Sequence, residues 1–148
     1  MVFCFYKHHT RDDMEKSMRK EFELPEEDKE FLDASFSEWE AVKEGNMWLI
    51  ISSFRIPDGY NVKEASLAIE IPSTYPDTKL DMAYFHPPLM REDGVAIGAT
   101  EAITTISGKD YQRWSRHYNW RIGIDSLRSH ILFVEEWLIR EFSKRRSA

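Results

Sequence analysis

Cysteine is almost absent: Cys4 is the one cysteine in 148 residues, so no internal disulfide can form and no multi-cysteine metal site exists. Long apolar runs are also missing. Stretches such as Met47 to Ser53 and Ile131 to Val134 fall far short of the roughly 20 residues that a membrane-spanning helix needs. The N-terminus carries no apolar stretch with a cleavage site of the secretory kind, so the expected setting is the cytoplasm, with no membrane partner. A basic excess is lacking too. Lys and Arg total 20 against 26 Asp and Glu, a net charge of −6, which argues against a surface that tracks phosphates and against nucleic acid as a main partner. The chain shows no internal repeat and no low-complexity linker.

Large apolar side chains, by contrast, are plentiful. Hydrophobic residues make up 42% and aromatic residues 14%, with 5 Trp, 9 Phe and 6 Tyr, enough to offset chain entropy in one domain of ordinary size. Met14, Met18 and Phe22 recur at steps of four, which makes residues 1–24 an arm or weakly amphipathic helix ahead of a domain at 25–148. Pro25 followed by Glu26, Glu27 and Asp28 suits a helix first turn, so a short helix is expected from about residue 25 to 34. Trp39 to Val42, the turn pair Gly45-Asn46 and the run Met47 to Ile51 read as a strand hairpin. After Pro57-Asp58-Gly59, a strand follows in which Leu67, Ile69 and Ile71 alternate with smaller or polar residues. A fourth strand from Leu80 to Phe85 lies beyond the turn at Tyr75-Pro76-Asp77. Leu89 to Asp110 reads as a long loop with Val95 to Ile97 and Ile103 to Ile106 as short extended pieces. Ile124, Leu127, Ile131, Val134, Leu138 and Phe142 then recur at helical steps behind Asp125 as a cap. The expected class is α+β, a four-strand antiparallel meander with its helices on one face.

The order helix, meander, Tyr75-Pro76, His86-Pro87-Pro88, long loop, Trp120 and closing helix resembles the ubiquitin-conjugating-enzyme (UBC) fold. Six runs carry the likeness further. Pro57-Asp58-Gly59-Tyr60-Asn61, Ile71-Pro72, Tyr75-Pro76-Asp77, Leu80-Asp81-Met82, Pro87-Pro88-Leu89 and Gln112-Arg113-Trp114-Ser115-Arg116-His117 are similar to the prokaryotic family E branch of that superfamily over about residues 24 to 142. The resemblance implies transfer of the C-terminal acyl group of a ubiquitin-like modifier, received from an adenylating activating enzyme, with a deconjugating peptidase often in the same pathway. It implies no cofactor.

Two departures bear on mechanism. The superfamily's cysteine falls by spacing from Gly94 on Ile97, which offers no nucleophile, and its His-Pro-Asn asparagine is replaced by Pro88, which has neither a side-chain donor nor a backbone N–H. A strand over 112–117 would put Arg113, Ser115 and His117 on one face and Gln112, Trp114 and Arg116 on the other. Ser115 as nucleophile, His117 as base and Arg113 or a backbone amide as oxyanion donor would form an oxyester rather than a thioester. Other hydroxyls stand as alternatives (Thr100, Thr104, Thr105 and Ser107), as do Cys4, should the N-terminal arm fold across the loop, and an inactive UBC variant that only binds the modifier or the activating enzyme. His86 and His130 are expected to be hydrogen-bonded structural residues, and no spacing motif supports a zinc site from His86, His117 and His130. Trp39, Trp48 and Trp137 are expected in the core, with Trp120 packing against the active-site loop.

Overall fold

The computed structural model describes residues 18–143. Helix α1 spans Glu26–Ser35; strands follow at Trp39–Glu44 (β1), Asn46–Arg55 (β2), Glu64–Glu70 (β3), Ala83–His86 (β4), Ile103–Ile106 (β5) and Lys109–Trp114 (β6). Helix α2 spans Leu127–Arg140 and ends in a 3-10 turn at Glu141–Ser143. The six strands form one antiparallel sheet in the order β1-β2-β3-β4-β6-β5. The architecture is therefore α+β as expected, with six strands instead of four.

The two extra strands are the hairpin β5–β6: β5 is the extended piece expected at Ile103 to Ile106, and β6 overlaps the strand supposed over 112–117 but begins at Lys109, so what the sequence does not reveal is their pairing. The hairpin turn is Ser107-Gly108, both at positive φ (52° and 76°), between the paired residues Ile106 and Lys109. A two-residue turn of that handedness matches the twist of the flanking strands. Val95 to Ile97 forms no strand, and the fourth strand begins at Ala83 rather than Leu80. The hairpin folds back toward the opposite edge: Ser107 N–H donates to Glu44 Oε2 at 2.8 Å and Arg19 Nη2 donates to Ser107 Oγ at 3.0 Å. Met18 to Phe22 are not helical; Lys20 bridges Ala41 in parallel and so covers the β1 edge. Residues 1–17, including Met14 and Cys4, and 144–148 lie outside the described residues.

This curl explains why Met47 to Ile51 is a continuous apolar run. One face of the sheet buries Leu49, Ile51, Leu67, Ile69, Phe85 and Trp114 with Leu32 of α1 and Leu127, Ile131, Val134 and Leu138 of α2. The other buries Trp48, Ile50, Ala68 and Tyr84 against Ile106 and Tyr111 of the curled hairpin. Alternating residues are thus buried on both sides, and each fully buried Leu or Ile contributes about 1.5–3 kcal/mol. Trp39 and Trp48 are buried as expected, while Trp120 and Trp137 are partly buried against the main core.

Helix α2 starts one residue later than the expected cap, because Ser126 takes the N-cap and its N–H donates to Ser129 Oγ at 2.9 Å. Asp125 instead accepts from Arg121 N–H at 2.8 Å and closes the preceding turn. The first helical N–H, of Leu127, is satisfied by Tyr75 Oη at 2.7 Å, which itself donates to Asp28 Oδ2 at 2.6 Å. A single phenol from the Tyr-Pro turn so joins α1 to the start of α2. Ile124, expected on the buried stripe, is 67% exposed.

Candidate functional site

The loop after β4 is irregular, yet the backbone of Pro88, Leu89 and Met90 is hydrogen-bonded. Asn61 Nδ2 donates to Pro88 O (3.1 Å), and its Oδ1 accepts from Met90 N–H (2.8 Å). Gln112, buried on β6, accepts from Leu89 N–H (2.9 Å) through Oε1 and donates to Leu89 O (3.1 Å) through Nε2. Two amide side chains therefore satisfy a stretch of backbone that no strand pairs. The His86–Pro87 and Tyr75–Pro76 peptides are both cis.

Further along, Arg91 holds Asp93 with two bonds (2.6 and 3.0 Å) and donates to Glu141 O at 2.7 Å, while Arg116 donates to Gly98 O at 3.1 Å and pairs with Glu141 at 3.4 Å. The loop is clamped to the end of α2 by these two guanidiniums. Between the loop and β6 opens a cleft of about 470 Å³ lined by Leu89, Met90, Gly94, Ile97, Thr100 and Gln112, among others. Ile97, at the spacing where the superfamily has its cysteine, is a buried aliphatic wall of this cleft.

The expected alternation holds along β6 itself: Gln112 and Trp114 are buried toward the main core, whereas Arg113 lines a second pocket of about 300 Å³ with Glu70, Pro72, Lys79, Asp81, Met82 and Tyr84. The strand ends at Trp114, so Ser115, Arg116 and His117 lie just past it. Ser115 is half-buried and its N–H donates to Ala99 O at 3.1 Å, with its carbonyl receiving Arg116 Nη1 at 3.1 Å. His117 projects its ring to solvent, 57% exposed, and donates Nδ1–H to the Asp81 carboxylate at 2.9 Å. That bond leaves Nε2 as the nitrogen able to accept a proton. The structure thus places Arg113 and the carboxylate that holds His117 on one pocket, and forms no hydrogen bond between His117 and Ser115.

Asp81 is itself held from behind. Its Oδ1 accepts Met82 N–H at 3.1 Å, Met82 sits at φ 61°, and Met82 O accepts His130 Nε2–H at 2.9 Å. His130 is fully buried, receives Tyr118 Oη–H on Nδ1 at 2.7 Å, and its pKa is lowered from 6.5 to about 4, chiefly by burial. It is a neutral structural histidine, as the sequence reading expected. His86 likewise donates Nδ1–H to Asp110 O at 2.8 Å. The three histidines have different partners, and among the described residues no cluster of metal-ligating side chains occurs.

Of the alternative hydroxyls, Thr100 lines the loop cleft but donates to Ile97 O at 2.8 Å, Thr105 donates to Asp110 Oδ1 at 2.8 Å, and Ser107 receives Arg19; Thr104 is half-buried on β5. Sequence reasoning missed Asp81, Asn61 and Gln112. All three lie within runs that carry the family likeness, but pairing across 36, 29 and 23 residues leaves no local signal.

A family model described as prokaryotic E2 family E matches residues 24–141. No curated protein and no solved structure matches the chain. Among the described residues no helix is long and apolar enough to cross a membrane. The matched span runs from the approach to α1 through the meander, the clamped loop and β6 to the end of α2, and the chain belongs to prokaryotic E2 family E.

Proposed function

We propose that this UBC-like domain is the carrier of a bacterial ubiquitin-like conjugation pathway, taking the C-terminal acyl group of a modifier from an activating enzyme onto the Ser115 hydroxyl. Family membership supports an E2-like transfer role in conjugation, with a ubiquitin-like modifier and an activating enzyme as the kinds of partner. The finer reading rests on one observation: an Asp81-oriented imidazole at His117, two residues from a half-buried serine, beside a pocket that holds the Arg113 guanidinium.

In the proposed step, Ser115 Oγ attacks the activated acyl carbon while His117 Nε2 takes the hydroxyl proton. The C–O bond forms, and the oxyanion is met by Arg113. Collapse then breaks the bond to the leaving group, which departs with the proton from His117. Asp81 keeps Nδ1–H in place and stabilises the imidazolium. A serine needs such a base, because an alkoxide forms far less readily than a thiolate. The Ser115–His117 bond would close only with acyl group present, as catalytic hydrogen bonds often do.

Incubating the protein with modifier, activating enzyme and ATP should give an adduct that resists dithiothreitol and yields to hydroxide. An adduct retained by Ser115→Ala would refute the assignment. The buried Ile97 at the cysteine position favours a second reading, a non-catalytic E2 variant that binds modifier or activating enzyme; that reading predicts a stoichiometric complex independent of ATP.

A further inference from the structure

Among the described residues, Arg113 Nε is the one buried side-chain nitrogen or oxygen with no hydrogen-bond partner. A buried donor left unmatched is costly, and a guanidinium N–H is matched best by a carboxylate. The site around it is already built. Ala68, Tyr84 and Arg113 stand in register across β3, β4 and β6, so their side chains share the face away from α2. Glu70, two residues beyond Ala68, shares that face, about 12 Å from Arg113 by strand spacing and rise.

The pocket between them is lined by Tyr84, Met82 and Pro72 together with Lys79 and Asp81. Asp81 is already engaged by His117, Met82 N–H and Lys79 at 3.8 Å. That leaves the Arg113 guanidinium, with its Nε–H buried and unmatched, and the Glu70 carboxylate as the remaining charged groups of the lining beside Lys79. Such a pair complements a peptide end, whose terminal carboxylate accepts and whose preceding amide N–H donates; an isolated carboxylate would use only half of it.

We propose that this pocket binds the free C-terminal carboxylate of an extended peptide, the carboxylate on Arg113 and a preceding amide N–H on Glu70. The inference rests on the acyl-transfer reading only in choosing a chain end over an internal acidic side chain. Arg113 and Ser115 lie about 6.6 Å apart if the backbone stays extended, so a carboxylate at Arg113 would mark the place where the acyl carbonyl is held before or after transfer.

The test is a titration of the whole ¹⁵N-labelled chain with three probes: acetyl-trialanine, its C-terminal amide, and acetyl-Ala-Glu-Ala amide. The Arg113 Nε–H resonance should move with the free acid and stay with the plain amide. Affinity should fall about tenfold or more in Arg113→Gln, and Arg113→Lys, which keeps charge but loses the Nε–H, should not restore it. Ser115→Ala should bind like the wild type, so that loss of the adduct and loss of this site are read separately. An unmoved Arg113 resonance, or equal binding of the internal-glutamate amide, would overturn the proposal.

Discussion

Lowering the pH should destabilise the fold through His130 specifically, and the size of the effect follows from its surroundings. The ring is fully buried, gives Nε2–H to Met82 O and accepts the Tyr118 O–H on Nδ1, so both nitrogens are satisfied in the neutral form, and charging the ring would cost the hydration that burial removes. Its pKa falls from 6.5 to about 4 on folding, with burial the main cause. Between those values the unfolded chain binds the proton and the folded chain does not, so stability rises with pH across that window. The contribution is complete above the unfolded value and is lost as pH drops through the folded one. Integration gives a loss of about 2 kcal/mol by pH 5 and about 3 kcal/mol by pH 4. Urea denaturation of wild type and His130→Phe from pH 7.5 to 4 isolates this term from the carboxylates, which titrate in both. At pH 7 the variant should be weaker by about 1–3 kcal/mol, since Met82 O and the Tyr118 hydroxyl lose a buried partner. The gap should narrow steadily below pH 6.5. Parallel curves over the whole range would show that His130 does not titrate differently on folding.

Three further outcomes are expected. Gln112→Leu strands the buried Leu89 N–H and the Trp114 Nε1–H that Gln112 also accepts at 2.9 Å, so denaturant midpoints should report a loss of about 2 kcal/mol or more; no loss would mean that the loop is held otherwise. Gly59→Ala places a Cβ 2.6 Å from the Phe142 ring at φ +105° and should cost about 1–3 kcal/mol by thermal melting, whereas an unchanged Tm would mean that the turn relaxes freely. Asp81→Asn should slow adduct formation about tenfold or more and alter its pH profile, with the melting temperature little changed because Asp81 and His117 are partly exposed; an unaltered rate would remove Asp81 from the mechanism.

The sequence disclosed those elements whose side-chain pattern is local. The Gly45-Asn46 turn, the alternation around Leu67 and Ile69 and the helical stripe from Leu127 to Leu138 all lie where they were read, since each is fixed by period and turn chemistry. The extended piece Ile103 to Ile106 is legible, but its pairing with β6 is not, because this outer strand is only partly buried: Ile103 is 53% exposed and the threonines carry no apolar alternation. The Ser107-Gly108 pair was the signal available for it. Asp125 and Ser126 compete for one cap, and the demand of Arg121 on Asp125 decides between them only in three dimensions. At the site, the opposite facing of Arg113 and Trp114 was legible from strand period. The Asp81 partner of His117 was not, because it depends on a backbone turn at Met82 that α2 enforces from the far side through His130.

Exchanging the proposed acceptor oxygen for sulfur distinguishes an oxyester on Ser115 from any other adduct. With modifier, activating enzyme and ATP, intact-mass analysis of Ser115→Cys should show the same mass increment as the wild type, now released by dithiothreitol, while the wild-type increment survives that treatment and maps to the peptide containing Ser115. An increment on Ser115→Cys that remained thiol-resistant, or one mapped elsewhere in the wild type, would exclude Ser115 as the acceptor.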